Sequence, residues 1–180
     1  MSSLAQVSVI LGAVVCVLYG TLALAPAASG SWLNAFPRNR AAAWVLTTVV
    51  IAWSGWLLYT SPLGKLEQYR DLVFVLVPVI ILLLGFFMDD LLAPRALGGL
   101  LIIVPAIMLD AARWHESPLR LVVTVLAYVM VIKGCMLVIA PYWFRKGVEK
   151  YLSSDGHRRA WGSCGAVLGL ALIGLGLTVY

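Results

Sequence analysis

The sequence has few charged residues, and this scarcity limits the environments in which it can fold. Lys, Arg, Asp and Glu make up 12% of the 180 residues, whereas hydrophobic residues make up 62%. A soluble domain carries about 25% charged residues, because polar side chains must cover its water-facing surface. The composition therefore argues against a soluble domain and predicts a protein whose natural solvent is lipid.

The motifs of common catalytic and cofactor sites are also missing. The histidines, His115 and His157, lie in predicted loops, where they are badly placed to bind a haem within the membrane. Cys16, Cys135 and Cys164 each lie in an apolar run without metal-ligand or C-x-x-C spacing. No zinc-protease, P-loop or serine-hydrolase motif occurs. We therefore predict no enzyme, no cofactor and no metal, and the scattered basic residues argue against nucleic-acid binding.

Apolar segments of membrane-spanning length fill most of the chain. A spanning helix needs about 20 mostly apolar residues. Such segments are predicted at residues 4–25, 41–59, 72–88, 92–112, 119–140 and 160–179. Residues 142–152 place apolar side chains on one helical face and basic ones on the other, which is typical of an interfacial helix. The prediction is an all-α fold, a polytopic integral membrane helical bundle of about six transmembrane helices in one domain, residues 1–180.

Two features at the start of the chain need interpretation. A signal peptide is the alternative to a first span, but no Lys or Arg precedes the apolar run, which favours a retained helix. Pro26 follows this span, and residues 26–40 are predicted to form a loop.

Lys and Arg are unevenly distributed between the predicted loops. The loops after spans one, three and five hold eight of them, and the loops after spans two and four hold four. The first set is Arg38, Arg40, Arg95, Arg145, Lys146, Lys150, Arg158 and Arg159, and the second is Lys65, Arg70, Arg113 and Arg120. Because cytoplasmic loops are enriched in Lys and Arg, both termini are predicted to lie outside.

Small residues form a stripe on the first span and another on the last. The stripes consist of Ser8, Gly12, Cys16 and Gly20, and of Gly162, Gly165 and Gly169. Small residues three or four positions apart share one helical face and allow two helices to approach closely in lipid. The sequence leaves open whether these faces pack within the chain or against another protein.

Lys133 is the most informative polar residue because it lies deep in the fifth span. A charge near the centre of a spanning helix costs about 2.5–3.5 kcal/mol. Three interpretations remain: the side chain reaches the headgroups, it pairs with Asp89 or Asp90, or it forms an ion, proton or anionic-substrate site. Asp110 is a further candidate for such a polar site, although Arg113 at i+3 predicts a local ion pair.

A weak repeat relates the two ends of the chain. Residues 20–26 and 134–141 each run from a glycine to a proline at a helix end, and each is followed by a basic segment and another span. Spans one and two are therefore candidates for a distant copy of spans five and six.

About the last 54 residues, from Ala127, resemble the YjeT-like proteins, a small two-helix bacterial membrane family of unknown function. The features that carry the resemblance are Gly134, Pro141, residues 143–146 (WFRK), Arg159, and the glycines from Gly162 to Gly169. Lys133 departs from the family, which often has an acidic residue there. The resemblance implies a bacterial inner membrane and no particular activity.

The favoured function is a non-catalytic packing or accessory subunit of a membrane assembly. Its expected partners are the lipid bilayer and either itself or another membrane protein. The alternative is a small transporter or channel that uses Lys133 in a polar path.

Overall fold

The computed structural model describes residues 2–24, 26–62, 64–87, 91–114, 117–152 and 155–180. These ranges contain eight α-helices and no strand, which confirms the predicted all-α helical bundle. The helices are α1 (Ser3–Leu24), α2 (Pro26–Ala35), α3 (Arg40–Thr60), α4 (Leu72–Phe87), α5 (Leu92–Arg113), α6 (Arg120–Ile139), α7 (Tyr142–Leu152) and α8 (Asp155–Thr178).

Five of these helices are long and apolar enough to cross a membrane: α1, α3, α5, α6 and residues 156–178 of α8. At 1.5 Å per residue, a 20-residue helix extends about 30 Å, the thickness of a bilayer hydrocarbon core. The chain is therefore a multi-pass membrane protein. The apolar helix α4 has only 16 residues, and its role follows from its packing.

Helix α4 packs along α3 in the opposite direction. Gly55, near the end of α3, lies against Val77, and Gly85, near the end of α4, lies against the ring of Trp44. The two helices are therefore in contact over most of their length.

Helix α5 packs on α3 in the same direction. Ala43 and Ala93 belong to one buried cluster near the starts of the two helices, and Val50 contacts Gly99 about two turns further on. Two neighbouring parallel helices require the chain to return between them, and α4 is the returning segment. This geometry agrees with six crossings.

The segment after α1 differs from the prediction. Pro26 begins α2 instead of a loop, and a short 3-10 helix, Phe36–Arg38, follows it. Proline is favoured in the first turn of a helix, because its missing N–H has no intrahelical partner at that position. Helix α8 also begins five residues before the predicted span, because its first turn is formed by polar residues that precede the apolar part of the helix. The other helices under the predicted spans begin and end within one residue of them.

A buried core lies near the end of the bundle that holds both chain termini. Leu4 of α1, Met108 of α5 and Val123 of α6 are almost completely buried in one cluster. This cluster joins the antiparallel pair α1–α8 to the antiparallel pair α5–α6.

The bundle has two different ends. At the terminal end, Ser2 Oγ donates to the Tyr180 carbonyl at 2.7 Å, and the Tyr180 hydroxyl donates to the Leu119 carbonyl at 2.6 Å. At the opposite end, the Tyr151 hydroxyl of α7 donates to the Leu22 carbonyl of α1 at 3.0 Å. We call this second end the α2–α7 end, because α2 and α7 lie together there.

Candidate functional site

The small residues of the first and last spans pack against each other within the chain. A methyl group on Gly12 would lie 2.7 Å from the Gly169 carbonyl oxygen, so the two backbones are in direct contact. The Cys16 thiol donates to the Ala166 carbonyl at 3.4 Å, and Ser8 is completely buried. Cys16 therefore acts in this contact as a small packing residue.

The contact continues towards the α2–α7 end. Gly162 faces Ala23, and Gly165 faces the ring of Tyr19, whereas nothing lies within 4 Å of a methyl group on Gly20. Of the two alternatives that the sequence leaves open, the geometry therefore supports packing within the chain. Ser8, Gly12, Gly162 and Gly169 are buried in this contact, whereas Cys16 and Gly165 are half-buried.

A second glycine contact, which the sequence reasoning missed, joins α5 and α6. A methyl group on Gly134 would lie 2.7 Å from the Gly98 carbonyl oxygen, and one on Gly98 would lie 2.8 Å from the Gly134 carbonyl oxygen. The signal in the sequence was the pair Gly98–Gly99 in one span and a lone glycine, Gly134, in the next.

Lys133 lies on the outer face of α6. Its side chain is exposed, and it makes no ion pair or hydrogen bond with any residue in the described ranges. Its neighbours Ile132 and Met136 are 61% and 43% exposed. The predicted partners Asp89 and Asp90 lie outside the described residues. Lys133 thus carries a charge on an otherwise apolar outer surface.

Asp110 does not share a site with Lys133. Gly98 and Gly134 lie at one level of the bundle, and Asp110 follows Gly98 by 12 residues along α5, about 18 Å. Asp110 is exposed, and within the described ranges it forms no ion pair with Arg113, whose guanidinium lies over the Trp114 ring at 5.4 Å. The described structure therefore does not join Lys133 and Asp110 in one polar path.

An apolar groove runs along the outside of α6 and α7, and Lys133 follows its lining residue Ile132 in the sequence without belonging to the lining. Its volume is about 360 Å³. The lining residues are Val131, Ile132, Cys135, Met136, Ile139, Ala140 and Trp143. We call this feature the α6 groove.

A second cavity, of about 270 Å³, lies at the α2–α7 end, and sequence reasoning did not find it. It lies between α2, the 3-10 helix, the start of α5, and α7. Its charged lining residues are Arg38, Arg145 and Glu149. From the sequence, Arg38 supported only the predicted orientation, and Arg145 supported the orientation, the interfacial helix and the family resemblance. The repeat was the available signal, because it aligns the segment after Pro26 with the one after Pro141.

No protein-family model, curated protein or solved structure matches this chain. The resemblance of the last 54 residues to the YjeT-like family therefore stays a prediction.

Proposed function

We propose that the chain is a non-catalytic accessory subunit of a bacterial inner-membrane assembly, and that it binds its partner through the outer face of α6. The observation that carries the proposal is Lys133, which is exposed within an apolar surface and has no ion pair or hydrogen bond to the part of the chain that the structure describes. Intramembrane charges are costly and usually pair with other groups. A partner carboxylate would offset the cost of this lysine.

The direction of the side chain argues against simple contact with the headgroups. Lys133 is six residues, about 9 Å, from the end of α6 at Ile139 and 13 residues, about 20 Å, from its start at Arg120. Side chains of a helix point towards its N-terminus. The Lys133 side chain is therefore expected to lean towards the start of α6, away from the nearer membrane surface, and the farther surface is out of reach of a lysine stem.

The α6 groove favours a particular kind of partner. An apolar groove on the same helix as a lysine that has no partner among the described residues is complementary to an apolar helix with one acidic residue. We therefore propose one occupant: a transmembrane helix of another membrane protein, with Asp or Glu at the depth of Lys133. Since the small residues of α1 and α8 pack against each other, we propose the outer face of α6 as the assembly surface instead.

Site-specific photo-crosslinking in the native membrane tests this proposal. A photo-reactive residue at Ile132 or Met136 is expected to capture one membrane protein that has an acidic residue inside a span. The matched control is Phe74 on the outer face of α4, which is 65% exposed. Lys133→Leu should reduce capture by about tenfold or more, whereas Lys133→Arg should retain it.

Charge reversal makes the test specific. Lys133→Glu should abolish capture, and exchange of the partner's carboxylate residue for lysine should restore it. Adducts to lipid alone, to a second copy of this chain, or to a protein without an intramembrane carboxylate would contradict the proposal. Equal capture by the Lys133→Leu variant would do the same.

We further propose that the α2–α7 end faces the cytoplasm and that both termini lie outside, because eight of the 13 basic residues lie at that end. Single cysteines at Ser2 and Lys146, in a variant whose natural cysteines are replaced by alanine, test this orientation. A membrane-impermeant maleimide applied to spheroplasts should label position 2 and spare position 146. The reverse pattern would overturn the proposed orientation.

A further inference from the structure

We call the cavity at the α2–α7 end the α2–α7 pocket, and its described lining residues carry a net positive charge. It contains two guanidinium groups and one carboxylate. Arg38 has no ion pair or hydrogen bond in the described ranges, and Arg145 approaches Glu149 only at 4.0 Å. The charges of these three groups sum to +1, which matches the single negative charge of a phosphodiester.

Packing brings together the two segments that carry the arginines, although these segments are distant in the sequence. Arg38 ends the 3-10 helix after α2, and Arg145 lies in the first turn of α7. The ring of Phe36 contacts the ring of Phe144 with centroids 5.6 Å apart, and Val148 is only 8% exposed. These contacts fix the two segments against each other, so the pocket is built into the fold.

The pocket lies at the level where lipid headgroups are expected. Its lining residue Arg38 lies two residues before the start of α3 at Arg40, and Phe144 lies five residues after the end of α6 at Ile139. Trp32 and Trp143 are exposed at this end, and aromatic residues are enriched at membrane interfaces. Lys146 lies over the Trp143 ring at 5.3 Å, so a cation and an aromatic ring are paired at the surface of α7.

We infer that the α2–α7 pocket binds the phosphodiester of an anionic phospholipid. Arginine presents a planar fork of donors that matches phosphate oxygens. The remaining lining is mostly apolar, with Leu33, Leu91 and Val148, and suits the glycerol and first carbons of a lipid. This site is separate from the proposed partner surface on α6, and either can fail without the other.

Lipid titration of the purified full-length chain, followed by native mass spectrometry, tests the inference. Phosphatidylglycerol is expected to bind, and diacylglycerol with the same acyl chains, which lacks phosphate, is not. Soluble glycerol phosphate separates the two sources of phosphate: weak binding supports a lipid ligand, and binding as tight as that of phosphatidylglycerol overturns it.

Some substitutions should weaken lipid binding and another should tighten it, which distinguishes binding in the pocket from attraction to a generally basic surface. Arg38→Gln and Arg145→Gln should each weaken phosphatidylglycerol binding by about tenfold, since each removes a charge-assisted hydrogen bond. Glu149→Gln should tighten binding, because it removes the only described carboxylate of the pocket. Lys146→Gln, on the same helix but outside the lining, should change binding by less than about twofold, as screened surface charges do.

Two outcomes would overturn the inference. The first is a loss of binding in Lys146→Gln as large as that in Arg38→Gln, which would indicate a diffuse basic surface. The second is weaker binding in Glu149→Gln. All four positions are exposed, so a folded, monodisperse variant is expected in each case, and its helix content provides the check.

Discussion

Gly134 and Lys133 are neighbours in α6, yet they lie in opposite surroundings. Gly134 is in backbone contact with Gly98 of α5, whereas Lys133 faces outward from an apolar surface. On the inner face of α6, steric fit determines which residue is tolerated, because nothing larger than a hydrogen atom has room there. On the outer face, the surroundings of the bundle determine which residue is tolerated. The predictions below compare residues of these two kinds.

The largest effect is expected at the glycine contacts. Gly169→Ala places a methyl group 2.8 Å from the backbone oxygen of Gly12 and should destabilise the protein by about 3 kcal/mol, because a helix backbone cannot yield as a side chain can. Gly174→Ala in the same helix has nothing within 4 Å and should be neutral or stabilising. Unfolding in mixed micelles measures both. If both variants were destabilised equally, the contact of Gly169 with α1 would not explain the effect.

The second largest change in stability is expected at Lys133, and it is a stabilisation. Lys133→Leu should stabilise the isolated chain by about 2 kcal/mol, because it removes the cost of an intramembrane cation. The same unfolding assay applies, with Lys146→Leu on the exposed surface of α7 as the control for lost positive charge. A destabilised Lys133→Leu variant would indicate that this lysine already has a partner within the chain.

A smaller effect is expected from one hydrogen bond. Tyr151→Phe removes the donor to the Leu22 carbonyl and should cost about 1 kcal/mol. Tyr128→Phe is the matched control, since Tyr128 is 58% exposed on α6 and has no hydrogen bond in the described ranges. Unfolding of both variants under one condition gives the difference. No difference between them would show that the contact of α7 with α1 contributes little to stability.

The smallest effect is a pH dependence at the terminal end. Burial raises the pKa of the Tyr180 hydroxyl above its ordinary value. The neutral form is therefore favoured in the folded state. The stability that the protonated Tyr180 hydroxyl contributes is fully present below about pH 10, and it is lost as the pH rises through the higher pKa of the folded state. Tyr180→Phe should flatten this alkaline loss of stability. An unchanged alkaline profile in the variant would contradict the assignment.

The sequence predicted the spanning helices well, because their positions depend on which segments are apolar enough for lipid. The helices under the predicted spans follow from apolar length, and most of their ends follow from proline and charge. It failed for α2, because residues 26–35 are too short and too polar to span, although they still form a helix after Pro26. Apolar length alone does not detect such a segment.

The candidate sites were harder to predict, because they depend on contacts between distant residues. Arg38 and Arg145 are 107 positions apart in the sequence and meet only through the packing of α2 and the 3-10 helix on α7. Lys133 stands out in any hydropathy pattern, but the direction of its side chain depends on which face of α6 packs on α5. The glycine stripes indicated close helix contacts without identifying the partners.

The sequence by itself determined that this protein is a helical membrane bundle, because the burial of apolar side chains in lipid depends on composition and length along one segment. Only the tertiary structure decided that the glycine faces meet each other, that Lys133 faces outward and that two arginines share a pocket. The reason is physical: the choice among several helices of similar hydrophobicity depends on steric fit between surfaces, and no single segment contains that information.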